Sequence, residues 1–96
     1  MTDYSLVFPE WFDDHAWEVE SKGWFGEAKL TFTGKSYRIN FYDPVRLAQE
    51  IADELERGSP FFEPNLVVVP SVTRQDMETA VQFLMQSGQL SSLVAE

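Results

Sequence analysis

An unbroken apolar run, Leu66-Val67-Val68-Val69, stands between Pro64-Asn65 and Pro70. Three of its four residues are β-branched. Such a run predicts a strand at 65–69 buried on both faces, because a half-exposed strand alternates and a helix is longer. The rest of the chain is read as its cover. Tyr4-Ser5-Leu6-Val7-Phe8 alternates weakly and predicts a first strand, stopped by Pro9. Residues 10–16 fit no clean period and read as a loop or one helical turn. Trp17-Glu18-Val19-Glu20-Ser21 alternates strictly and predicts a half-buried strand, with Trp17 and Val19 facing in. Lys22 to Gly26 reads as a turn bracketed by glycines, with Trp24 and Phe25 at its tip.

The next two segments predict a hairpin. Ala28, Leu30 and Phe32 share one face of 27–33, and Tyr37, Ile39 and Phe41 share one face of 36–42. Gly34-Lys35 suits a two-residue turn with Gly at the first central position. That turn pairs Phe32 with Tyr37, Leu30 with Ile39 and Ala28 with Phe41, which keeps the large apolar groups on one side.

Asp43-Pro44 opens a helix, with Asp as the cap and Pro at the first helical position. Leu47, Ala48, Ile51, Ala52 and Leu55 recur at three- and four-residue steps and predict a core-facing stripe. Arg57-Gly58 ends that helix, and Pro60 follows. A second helix starts after Thr73, with Asp76 three residues on as in a capping box. Met77, Ala80, Val81 and Leu84, with Phe83, form its stripe, and Gly88 ends it. Leu90, Leu93 and Val94 give the tail apolar groups for a short packed turn.

The predicted order is β-β-β-β-α-β-α over one domain spanning 1–96. The fold class is α+β: a mixed or mainly antiparallel sheet of about five strands covered by two helices. A parallel crossover from 36–42 through the first helix to 65–69 would make the sheet mixed.

Charge narrows the partners. Sixteen acidic against seven basic residues give a net charge of −9. The bases are scattered singly, which argues against direct nucleic-acid binding and against docking on an anionic membrane. A basic protein would gain from this field. No cysteine is present, which excludes disulfides and thiolate metal sites and fits a reducing, cytoplasmic setting. No signal peptide or membrane span is read from the chain.

Three places offer candidate chemistry. Asp13-Asp14-His15 pairs carboxylates with the lone imidazole. That combination suits a small hydrolase or a metal-dependent enzyme. Adjacent side chains do not converge, however, and the spacing matches no catalytic motif. No catalytic, metal or cofactor residue is assigned. The sharper feature is Glu10, Asp13, Asp14, Glu18 and Glu20, interleaved with Trp11, Phe12 and Trp17. Rings beside carboxylates suit a protein interface, with area from the rings and selection of a basic partner by the charges. The Trp24-Phe25 tip is a second candidate contact site, with two large apolar groups that either stand exposed or fold over the sheet edge. The acids of the first helix, Glu50, Asp53, Glu54 and Glu56, are a third possibility, on a face that reads as solvation. Ser71, Thr73, Ser91 and Ser92 have no base placed beside them, so no serine nucleophile is supported.

The layout resembles the small acidic immunity proteins of bacterial polymorphic-toxin and contact-dependent growth-inhibition systems. The resemblance is one of size, charge and element order. It runs from Asp43-Pro44-Val45-Arg46-Leu47 through Pro64-Asn65-Leu66-Val67-Val68-Val69-Pro70-Ser71-Val72-Thr73, and no functional residue is carried over from it. It implies a non-catalytic binder that neutralises a toxin, often a nuclease, by covering its active site or a neighbouring surface. A nuclease holds a polyanion in a basic cleft, which an acidic inhibitor can match. A regulatory or assembly subunit is the remaining class.

Overall fold

The turn at Thr33-Gly34 sets the register of the central hairpin. The computed structural model describes residues 4–96; residues 1–3, the head of the N-terminus read above as lacking a leader, lie outside the described residues. β2 (Trp24–Phe32) and β3 (Lys35–Tyr42) pair antiparallel, with Phe32 opposite Lys35, Leu30 opposite Tyr37 and Ala28 opposite Ile39. The turn is therefore one residue earlier than Gly34-Lys35, and each strand partner shifts by two. Thr33 and Gly34 both have positive φ, 51° and 78°. That is the backbone of a type I′ turn, whose twist matches the strands. A shift of two keeps every side chain on its expected face, so the apolar side forms as predicted.

A bulge changes the start of β2. The register slips between Phe25 and Ala28, so that Phe25 lies opposite Phe41 and Trp24 opposite Tyr42. An extra residue in one strand inverts the alternation beyond it. Phe25 thereby joins Ala28 on the core face and is 3% exposed, whereas Trp24 turns to the other face. The Trp24-Phe25 pair is strand, not an exposed hairpin tip.

β1 (Tyr4–Val7) lies antiparallel on the far side of β2. After it the chain makes a 3-10 turn at Asp13–His15 and enters α1 (Ala16–Lys22). The predicted strand at 17–21 is thus a helix. Four-residue steps from Phe8 to Phe12 and Ala16, and then three to Val19, place one apolar row on the core, and that row outweighs the local alternation. Val19 is buried as expected, but Trp17 is 69% exposed rather than core. α1 closes at Gly23, whose φ of 73° and N–H bonds to Val19 O and Glu20 O form the cap. A Cβ at Gly23 would stand 2.6 Å from Asp43 Oδ2, because α2 starts against it.

α2 (Pro44–Glu56) begins as predicted: Asp43 Oδ1 accepts from Arg46 N at 2.7 Å, and Pro44 takes the first position. It carries the chain to β4 (Leu66–Val68), which runs parallel to β3 with Phe41 opposite Val67. The sheet order is β1-β2-β3-β4, so β4 is an edge strand and not the centre. Leu66 is 38% and Val68 47% exposed, and the expectation of burial on both faces fails. α3 (Arg74–Gln86) starts with Thr73 Oγ1 accepting from Asp76 N at 3.2 Å. The fold is α+β with one mixed four-strand sheet and three helices.

One face of the sheet carries the core. Ala28, Leu30, Ile39 and Phe41 are fully buried there with Met77 and Val81 of α3. Leu90, on the closing 3-10 turn at Gln89–Ser92, completes it. The stripe of α2 does not take part: none of its residues is buried, against expectation, and Leu55 is 61% exposed. α2 is held at its first turns instead. Arg46 donates to Lys22 O at 3.0 Å, and Asp43 N donates to Gly23 O at 2.9 Å.

Candidate functional site

The segment from Pro9 to Lys22 is shaped by what it buries. Phe12 is 1% exposed and meets Phe8 at 4.8 Å and Phe25 at 5.0 Å between ring centroids. Backbone bonds from Phe12 N to Pro9 O and from His15 N to Phe12 O coil the chain around that ring. With Phe12, Ala16 and Val19 turned inward, helical spacing sends the intervening residues out. Glu10, Asp13, Asp14, Glu20 and both indoles, Trp11 and Trp17, are exposed, and Glu18 is half-buried. Trp11 keeps one edge against Phe25, with centroids 6.0 Å apart, while Trp17 stands free of the core.

Arg74, at the start of α3, fastens this segment. Its guanidinium lies 4.3 Å from the centre of the Phe8 ring and 5.3 Å from that of Phe12. It also donates to Asp13 Oδ1 at 2.9 Å. A cation over two rings and beside a carboxylate is a strong local tie, although the ion pair itself is solvent-exposed and weak. No sequence motif links residues 61 apart, so this contact was invisible in the sequence. The ion pairs among the described residues leave Glu10, Asp14 and Glu20 without a cation.

The Asp13-Asp14-His15 triplet does not assemble a reactive centre. Asp13 turns to Arg74, and His15 Nδ1 approaches Glu18 at 3.4 Å. Among the described residues no group of three or more His, Asp or Glu converges as a metal site would. Ser71 Oγ donates to Asp76 and extends the cap of α3. Of the acids on α2, Glu50 takes Arg46 and Glu54 takes Arg57.

The structure therefore brings together Glu10, Trp11, Asp13, Asp14, Glu18 and Glu20 on one coiled segment. It does not add Trp24 and Phe25. Phe25 is core, and Trp24 is on the opposite side of β2, 37% exposed beside Tyr42. Tyr42 was not singled out by sequence. It is buried outside the main core, its ring edge-on to Phe61, and its hydroxyl donates to Glu63 at 2.8 Å. Burial, then the Glu63 bond and charge, push its phenol well above the ordinary value. Among the described residues no helix is long and apolar enough to cross a membrane.

No family model matches this chain, and no curated protein or solved structure matches it.

Proposed function

We propose that this chain is an immunity protein, a non-catalytic binder that neutralises a basic bacterial toxin domain in the cytoplasm. A nuclease is the toxin type that such an inhibitor suits best. The observation that carries the reading is Trp17, an indole 69% exposed on α1, with Asp13 and Asp14 before it in the chain and Glu18 and Glu20 after it. Large rings are usually well covered, and an exposed one with charges around it has the make-up of an interface anchor. Covering the indole would supply affinity. The carboxylates of Glu10, Asp14 and Glu20, without a cation among the described residues, would steer a basic surface and reject acidic ones. The net charge of −9 acts in the same direction at longer range.

Calorimetric titration into any basic toxin domain encoded beside this gene tests the reading. The expected result is one-to-one binding that weakens as salt rises and falls further with Trp17→Ala. Absence of heat with that domain sinks the proposal. Heat unaffected by salt or by Trp17→Ala removes this segment as the binding surface.

A further inference from the structure

Among the described residues, β4 leaves part of its backbone unpaired. Its ladder to β3 uses Asn65 O, which accepts from Asn40 N at 3.0 Å, and Val69 N, which donates to Tyr42 O at 2.8 Å. In a parallel ladder alternate residues turn both backbone groups to the same neighbour. Asn65, Val67 and Val69 therefore face β3. Leu66 and Val68 point their N–H and C=O away from the sheet, at its outer edge.

A groove of about 440 Å³ lies along that edge. Val67 to Pro70 form one wall, and Thr79, Ala80, Phe83 and Leu84 of α3 form the other. Phe83 is 62% exposed although it belongs to an otherwise core-directed helix. Among the described residues the groove is lined by no Lys or Arg, and its one charge is the Asp76 carboxylate. An edge of free backbone groups asks for an extended chain, and the apolar walls ask for apolar side chains at every second position.

Charge selects the occupant. A second copy of this chain could pair edge to edge, but each copy carries a net −9, and the pairing would set like charges together. A basic segment meets an attractive field and a carboxylate in the groove. We propose that the β4 edge and the α3 wall form a docking site for an extended segment of a basic partner protein. The segment adds to the sheet as a fifth strand, seats apolar side chains against Phe83 and Val67, which share the α3 side of the sheet, and brings a Lys or Arg to Asp76. The proposal rests on reading the chain as a binder of a basic protein, but it uses a surface other than Glu10 to Glu20. Pro64 and Pro70 bound the strand, so the added pairing is short, which also protects the edge from open-ended association.

The test uses the full chain, isotope-labelled for amide NMR, and a blocked heptapeptide of alternating lysine and valine. Saturable shifts are expected at Leu66, Val68 and the Thr79–Phe83 stretch of α3. Methylating the peptide nitrogens that face the edge should weaken binding about tenfold or more, since each lost donor leaves a buried carbonyl unpaired. A glutamate–valine peptide should not bind. Val68→Pro removes an outward N–H that the fold does not use; Phe83→Ala, on an exposed side chain, lowers the wall and is the second variant if the first misfolds. Either should abolish saturation. The docking site is overturned if the lysine peptide gives no saturable shift or if N-methylation is without effect. Shifts confined to residues 10–20 also overturn it, while leaving the acidic surface as proposed above. Binding in the groove together with a silent calorimetric titration supports the groove and rejects the toxin partner. Dimerisation through β4 in ultracentrifugation would show the occupant to be a second copy and overturn the choice made here.

Discussion

The two faces of the sheet are covered in opposite ways. On one, Leu30, Ile39 and Phe41 meet Met77 and Val81, and all five are fully buried. On the other, Trp24, Leu66 and Val68 remain over one-third exposed, although a helix with a clean apolar stripe crosses from β3 to β4. The difference shows what amphipathicity decides. It states which side of a helix prefers to leave water. It does not state that the chain itself provides the cover. α3 finds a complementary sheet face, and α2 is tethered at its start, where Arg46 donates to Lys22 O and Asp43 N to Gly23 O.

The largest test of this contrast is a pair of truncations. Met77→Ala should destabilise the protein by about 3 kcal/mol in denaturant unfolding, because it opens a cavity in a closed core. Leu55→Ala on α2 should change stability by no more than about 0.5 kcal/mol, as for other exposed sites. Equal losses would mean that α2 is packed as firmly as α3. Asn65 is the next step down. Its Nδ2 donates to Arg38 O and to Val94 O, and its Oδ1 accepts from Val94 N at 2.7 Å. The amide so closes the β3 edge just before β4 begins. Asn65→Ala removes these bonds and places a Cβ-only side chain at a φ of 54°, for an expected loss of about 2 kcal/mol. Amide exchange should show Val94 to Glu96 released, with the core unchanged.

Tyr42 gives a pH-dependent test of the open face. Its folded phenol is raised above the unfolded value of 10.0 by burial and by Glu63. The folded state therefore favours the neutral form. The stability it contributes is complete below about pH 10 and is lost as pH rises from there toward the folded titration point. Tyr42→Phe should flatten that alkaline limb. An unchanged limb would contradict the assigned environment. The smallest effect belongs to the hairpin tip, which lies on neither face. Thr33→Asn should stabilise by about 0.5 kcal/mol, because Asn tolerates the positive φ that a β-branched residue resists. A loss at this site would mean that the Thr33 hydroxyl bond to Phe32 O outweighs the backbone strain.

Legibility in the sequence followed the range of the interactions. The caps at Asp43 and Thr73 were readable because they act over three residues. The apolar face of the hairpin survived an error in the turn because a two-residue shift preserves parity. The bulge at Gly26-Glu27 was not readable, so Phe25 was assigned to a surface it does not reach. The strict Trp17-Glu18-Val19-Glu20 alternation masked a helical row, Phe8, Phe12, Ala16 and Val19, that a wider window contains. That error hid the most informative residue in the candidate site, since a strand reading buries Trp17 and the helix exposes it. The position of β4 at the edge depended on where α2 delivers the chain, which no local pattern encodes.

Hydrogen exchange on the chain mixed with a basic toxin domain that it binds tests the role of the Trp17 segment most directly. New protection is expected in the segment from Glu10 to Lys22, centred on Trp17, with the amides of β2 and β3 unchanged. Protection absent from that segment, with binding nonetheless present, would contradict it.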